Sequence, residues 1–575
     1  MKDKRVLSFP KDSDFYESAA YAKMDEGDLV GALSLFRYLL SLKPNNAMIH
    51  VQMADVYTAM ELYDEAIACL YLAEGGRSVA ARKEARTRLV ENLMYSERME
   101  GANYYLTHMD AEKDPPQYSE DFMAFMEGQA NRFNPYRTVY PYELADYSHI
   151  LENARHLASL NFRSEADKNL SSIPFGAKEY PTALAKRSLL RTQGDEESLW
   201  YDTEQAEAFA REALSYEKDN VTYLYALYRA LCVNGKEEFS EVRSRLKLAT
   251  PKDEEELQYL MDVFCAKEGG DEFLLSVTER FLDLHPYDVP FLTLHAVCAY
   301  NSGNVEGAEE SLATLRVLSP WHPLADALQK RIGEDRRAEE KGKQKRREAF
   351  PHVYYLTQNI AKEYYEGRWR EFTKMGKDER ARFVASKAFL PTVAWCFFPV
   401  EGYETAKWKT VSLLAELKTK EASAFLSSVL MHPAVPIEVK GYAVHRILEE
   451  GVRLNTGIVV QYVYRKLKLH PLETEAANLP ALKSAYARAV SLLCVVEDGE
   501  KLCDKLASAA DTLYYGMQMK GKLKRLTEFS EDALAAVLFS RGDFMPEVGA
   551  KELARMFNTD AEEIREIWEE CCEAD

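Results

Sequence analysis

Pro286 and Pro320 stand 34 residues apart in this 575-residue chain, and so do Ala20 and Ala54, Ala32 and Ala66, and Phe36 and Leu70. A fixed interval with small and large apolar residues at matched places is a strong constraint. It predicts one supersecondary unit copied along the chain, each copy burying its apolar face against its neighbours, rather than one central core.

Each copy reads as two short amphipathic helices around a tight turn. The unit that begins at Val289 carries Leu292, His295, Ala296 and Ala299 on its first helix, Gly303 at the turn, Ala308 and Leu312 on its second helix, and Pro320 at its end. Units begin 34 residues earlier at Glu255 and again at Val221, whose first helix stops at Asn234-Gly235. Near the N-terminus, a unit beginning at Ser13 places Ala20, Ala32, Phe36 and Pro44 in the same frame, and its turn MDEGDL matches MELYDE in the following copy. Weaker units start near Tyr147, with Ala154 and Ala166, and near Pro181, where the extra residues EESLWYD precede the second helix (Ala206–Tyr216). A degenerate unit follows Ala81. The paired alanines let the two helices approach closely, while Leu, Phe and Tyr at i, i+3, i+4 fill the grooves between hairpins.

Over roughly residues 13–330 this framework resembles the tetratricopeptide-repeat family. The resemblance implies an all-α, right-handed α-solenoid of antiparallel helix pairs that binds a peptide or partner protein on its concave face. It turns a set of first-helix positions toward that groove: Arg155, Tyr225, Arg229, Tyr259, Lys267, Tyr300 and Asn301. Tyr and Arg suit stacking and carboxylate contacts, although the same places can serve packing between repeats. The subfamily that grips a C-terminal Asp with Lys and Asn is not matched, because the N-terminal repeats offer Asp14, Glu17 and Asp55 at the equivalent places.

Two segments interrupt the array. Residues 111–146 are rich in Pro and Tyr, which predicts a long ordered loop or a joint between repeat blocks. There Tyr136, Arg137, Tyr140 and Tyr142 either form a partner-binding loop or pin the insert onto the solenoid. From Arg336 to Arg347 seven basic residues face two acidic ones, which reads as a solvated linker or polar helix. The domain plan is therefore a first repeat block over 13–110, the insert over 111–146, a second block over 147–332, a basic polar linker over 333–349, an α-helical domain over 350–530 and a small tail over 531–575.

The region 350–530 lacks the period but stays helical in pattern. Its stretch from Thr405 to Gly451 resembles a HEAT-like hairpin, with Val439, Tyr442, Ala443, Ile447 and Leu448 on one face of a helix led by Pro436. Trp395, Phe397 and Phe398 are expected in the core. The tail resembles a helix-turn-helix motif, with Leu553, Ala554, Ile564 and Ile567 at packing places, Asn558 at the turn, and Thr559 or Asp560 capping the second helix. DNA reading needs basic or amide side chains on that helix. Gly549 to Cys572 instead holds three basic and seven acidic residues, a net of −4.

No Gly-rich phosphate loop, HExxH, GxSxG elbow or closely spaced His pair occurs, so no catalytic residue, cofactor or metal is expected. A net charge of −20 opposes non-specific binding to nucleic acid or anionic membrane. The absence of a signal-peptide pattern, of a long apolar run and of any CxxC pair points to a cytoplasmic protein with reduced thiols. The expected function is a non-catalytic scaffold for protein–protein interaction. The alternative is a regulator that contacts nucleic acid through the tail, the linker and the basic run Lys520–Leu526.

Overall fold

The computed structural model describes residues 12–96, 98, 101–102, 104–105, 136–139, 142–145, 147–159, 161–193, 201–264, 270–320, 322–340, 349–350, 366–397, 404–494, 501–542 and 548–572. Two compact units divide the chain. One gathers the chain up to Thr58, Tyr63–Asn92 and Ala361–Asp575; the other holds Ala59–Leu62 and Leu93–Ile360.

Helices dominate, as the periodicity requires. The first repeats supply α1 (Ser13–Asp25), α2 (Leu29–Leu42), α3 (Ala47–Ala59), α4 (Tyr63–Glu74) and α5 (Val79–Tyr95). In the Pro/Tyr-rich insert the described backbone is a short antiparallel hairpin of β1 (Tyr136–Val139) and β2 (Tyr142–Ala145). The second block follows with α6 (Ser148–Ser159), α7 (Arg163–Ser171), α8 (Tyr180–Arg191), α9 (Thr203–Tyr216), α10 (Val221–Val233), α11 (Phe239–Leu248), α12 (Glu254–Phe264), α13 (Asp271–Leu282), α14 (Val289–Asn301), α15 (Val305–Leu318) and α16 (Pro323–Glu340).

Three devices make these hairpins. Alanine pairs Ala20/Ala32, Ala54/Ala66, Ala154/Ala166 and Ala296/Ala308 are all buried at 2 % exposure or less, where a larger side chain would force the paired helices apart. Short polar residues cap the helices: Asp28 accepts from the Gly31 amide at 2.8 Å, Asn304 from Gly307 at 3.0 Å, Asn220 from Tyr223 at 3.2 Å and Asp288 from Phe291 at 2.9 Å. The turns share a third signature. Gly27, Glu61, Asn161, Gly235 and Gly303 occupy the same place in their units, and all have φ between 61° and 87°. That left-handed conformation is open to Gly and strained for Glu61.

The basic linker begins inside a helix, since α16 runs on to Glu340. Arg336 there pairs with Glu309 at 2.6 Å.

The C-terminal half contains α17 (Gly367–Lys374), α18 (Lys377–Val384), α19 (Phe389–Phe397), α20 (Glu404–Ala415), α21 (Lys420–Met431), α22 (Ile437–Glu449), β3 (Leu454–Val460), β4 (Val463–Leu469), α23 (Pro480–Leu493), α24 (Leu502–Met519), α25 (Glu531–Arg541), α26 (Ala550–Phe557) and α27 (Ala561–Cys572). Helices α21 and α22 pack together, with Val439, Ala443, Ile447 and Leu448 buried. Phe397 joins the same core at 2 % exposure. Phe398 and the side chain of Trp395 lie outside the described residues.

One element departs from the helical reading of this region. Strands β3 and β4 pair antiparallel from Leu454↔Leu469 to Val460↔Val463 and leave a two-residue turn, Gln461-Tyr462. Both turn residues have positive φ, 50° and 60°, as the mirror-image type I turn demands. The turn is braced from the first repeats, where the Tyr71 hydroxyl of α4 donates to the Tyr462 carbonyl at 2.5 Å. Helix α4 also packs on α21.

Asn558 ends α26 in the left-handed conformation at φ 53°, and the Asp560 carboxylate accepts from the Glu562 amide at 2.9 Å. Leu553, Phe557, Ile564 and Ile567 are buried beneath α25 and within the C-terminal core.

Candidate functional site

In the second block, α6, α7, α8 and α12 line a pocket of about 140 Å³. Its floor and sides are apolar: Ala154 and Ala158 from α6, Leu170 from α7, and Leu189 and Leu190 from α8. Polar groups form the rim: Arg155, Lys186, Gln193, Glu255 and Tyr259.

Glu255 is the hub of the rim. Lys186 Nζ donates to its two carboxylate oxygens at 2.7 and 3.0 Å, and the Tyr259 hydroxyl donates to Oε1 at 2.5 Å. Burial alone would raise the Glu255 carboxyl, but the Lys186 ammonium, both hydrogen bonds and the Arg155 guanidinium together hold it below the usual carboxylate range. Tyr259 is shifted the other way, first by burial and then by the adjoining carboxylate. Its ring stacks on Tyr225, with centroids 4.3 Å apart and planes 10° from parallel. Tyr225, 6 % exposed, donates in turn to Asp262 Oδ2 at 3.1 Å. Packed rings and fixed hydroxyls leave this wall little rotamer freedom to lose when something binds.

Behind the pocket, α8 is locked by a second network. Arg187 and Arg191 reach Asp167 of α7 at 2.9 and 3.2 Å, and both guanidinium groups lie over the Phe209 ring, at 4.5 and 5.4 Å from its centroid. The Lys186 stem is thereby held on a rigid helix.

Of the positions that the sequence turns toward the groove, Arg155 and Tyr259 line this pocket, and Tyr225 is buried against the Tyr259 ring without lining it. Arg155 is exposed and makes no hydrogen bond or ion pair among the described residues, although its charge acts on Glu255. Arg229 is half-buried on α10, one turn beyond Tyr225, and does not line the pocket. Lys267 and Tyr140 lie outside the described residues, as do the side chains of Tyr136, Arg137 and Tyr142. Tyr300 is 1 % exposed and donates to Asp335 of α16. The Asn301 amide is engaged by Asp271 and by the backbone of Phe350.

Lys186 and Glu255 are the site residues that sequence reasoning missed. Glu255 opens its repeat, ahead of the groove positions. Lys186 sits on the first helix of the unit that begins near Pro181, away from that unit's groove positions. The remaining signal was charge: a lysine and a glutamate on first helices two repeats apart, with a tyrosine four residues after the glutamate.

The basic run Lys520–Leu526 faces its own tail. Lys520 Nζ donates to the Glu570 carbonyl at 2.8 Å, and Arg525 pairs with Glu528, Glu566 and Glu570. Among the described residues no group of three or more His, Cys, Asp or Glu is placed to hold a metal, and no helix is long and apolar enough to cross a membrane.

Residues 23–74 match the family model described as Tetratricopeptide repeat. No curated protein matches the chain in sequence. Among solved structures, the yeast protein Tom70 aligns at 11 % identity and a TM-score of 0.18, over 90 % of this chain and 99 % of its own. A structure of Naa15/Naa10 bound to HypK-THB aligns at 13 % identity and a TM-score of 0.18, over 93 % and 94 % of the two chains. Such superpositions say nothing about the pocket. The matched stretch carries the kind of alanine pair and left-handed turn that recur in the second block.

Proposed function

We propose that the protein is a non-catalytic interaction scaffold whose second repeat block docks an acidic peptide or partner segment in the pocket between α6, α8 and α12. One observation carries this reading: Arg155, Lys186 and Tyr259, from the first helices of three different repeats, converge on one apolar-floored hollow. Arg155 and Lys186 against Glu255 leave a net charge of +1 at the rim of a chain whose total is −20. A carboxylate entering the hollow meets the unpaired Arg155 guanidinium, which offers a planar fork of donors. Lys186, already bonded to Glu255, adds its charge without moving.

The same geometry suits recognition better than reaction. Glu255 is held ionised and saturated by three donated hydrogen bonds, which is poor preparation for a general base. Contact with nucleic acid through Lys520–Leu526 has less support, because Lys520 and Arg525 are spent on the acidic tail helix.

Affinity purification from the native host tests the reading, with wild type, Arg155→Glu and a distant control, Arg565→Glu, run in parallel. A partner retained by wild type and by Arg565→Glu but lost with Arg155→Glu is the expected result. Identical recovery by all three forms removes this pocket from consideration.

A further inference from the structure

A different contact lies at the far end of the second block, and it holds whether or not Arg155 and Lys186 take a partner. The side-chain amide of Asn301, the last residue of α14, grips the main chain of one residue from both sides. Its Nδ2 donates to the Phe350 carbonyl at 2.7 Å, and its Oδ1 accepts from the Phe350 amide at 2.6 Å. Asp271, at the first turn of α13, accepts a further bond from Nδ2 at 2.8 Å and so fixes which end of the amide is which. Next to it, Tyr300 is immobilised by its bond to Asp335.

Two bonds of this kind need a residue whose N–H and C=O point the same way, the arrangement an extended strand presents to its neighbour. Phe350 is suited to it, because the following Pro351 biases its backbone to extended conformations. Its side chain is 5 % exposed, so recognition combines a main-chain clasp with a buried ring. Phe350 follows the basic run Arg336–Arg347, remote in sequence from the repeats that hold it.

We infer that Asn301 and Asp271 form a main-chain recognition site for an extended peptide bearing an aromatic residue, and that Phe350 fills this site in cis. The clasp reads backbone and the ring reads a single aromatic side chain, so a peptide of the same chemistry supplied in trans competes with Phe350. A cis occupant in place about nine-tenths of the time lowers the apparent affinity for such a peptide about tenfold.

The test uses the full chain and a fluorescein-labelled synthetic peptide of sequence RREAFPHVY, followed by fluorescence anisotropy. Wild type is expected to bind weakly and saturably. Phe350→Gly, which keeps the backbone but removes the ring of the cis competitor, should bind about tenfold more tightly. The double variant Asn301→Leu/Phe350→Gly should lose that gain, and the peptide RREAGPHVY should not bind any form. Equal affinity for wild type and Phe350→Gly, or undiminished affinity in the double variant, overturns the inference. Should either variant fail to fold, wild type decides the matter with a peptide carrying a photoreactive benzoyl-phenylalanine at the aromatic position. Crosslinks on α13 or α14 support the site, and crosslinks elsewhere or none at all overturn it. None of these readouts depends on Arg155, so failure here leaves the acidic-peptide pocket untouched, and the reverse holds too.

Discussion

Replacing Lys440 by methionine should make the protein more stable at neutral pH and remove a pH dependence expected of wild type. Lys440 lies on α22 at 2 % exposure, and its Nζ donates to the Val459 carbonyl of β3 at 2.5 Å. Burial pushes its ammonium down from 10.5 to about 7. A lysine lowered in this way is protonated in both states below pH 7, so folding carries the full penalty of burying charge there. Between pH 7 and 10.5 the unfolded chain holds one more proton than the folded one, and stability rises with pH by up to about 1.4 kcal/mol per unit. Over the whole window the gain approaches about 4–5 kcal/mol. Methionine has similar length and no charge, but it strands the Val459 carbonyl at a cost of about 1–3 kcal/mol at every pH. The net expectation is a gain of about 2–4 kcal/mol for Lys440→Met near pH 6–7, turning into a loss near pH 10. Guanidinium unfolding of both forms at pH 6, 7.5 and 9, followed by tryptophan fluorescence, measures the difference directly, since other titrating groups cancel between them. Parallel curves for wild type and Lys440→Met across this range would refute the reasoning.

Two further substitutions probe the repeat turns and the C-terminal hairpin. Glu61 occupies the left-handed turn position that Gly fills in three sister repeats, so Glu61→Gly should stabilise the protein by about 1 kcal/mol, seen as a higher thermal midpoint. Its half-exposed pairing with His285 offsets little of that gain, and a lowered midpoint would contradict the strain argument. In β3, a Cβ on Gly457 would lie 2.6 Å from Tyr464 Cζ, so Gly457→Ala should displace that ring and destabilise the hairpin by about 1–3 kcal/mol. Tyr464, whose hydroxyl burial pushes up to about 12, reports the displacement as a shift of its titration toward 10; an unmoved midpoint and titration would show that the ring yields freely.

The contrast between what the sequence disclosed and what it hid follows from how each feature is encoded. Repeat hairpins are legible because their constraints are local and recur: an alanine where helices cross, a left-handed residue at the turn, an Asp or Asn ahead of a helix. Each narrows the residue types allowed at one place, and a 34-residue interval multiplies the signal. The pocket was half legible for the same reason. Register alone placed Arg155 and Tyr259 on its rim, whereas Lys186 is not at a groove position of its repeat. Nothing local marks Asn301 as the clasp for Phe350, 49 residues away, because that pairing depends on a chain reversal with no periodic signature. The β3–β4 hairpin illustrates the same limit. Its strands are rich in Val, Ile and Tyr, but the turn Gln461-Tyr462 contains neither the Asn nor the Gly that usually announces such a reversal. The left-handed residues there are held by a hydroxyl from Tyr71, nearly four hundred positions upstream. Where local chemistry leaves a conformation strained, the compensation has come from a distant repeat, and only the folded chain reveals it.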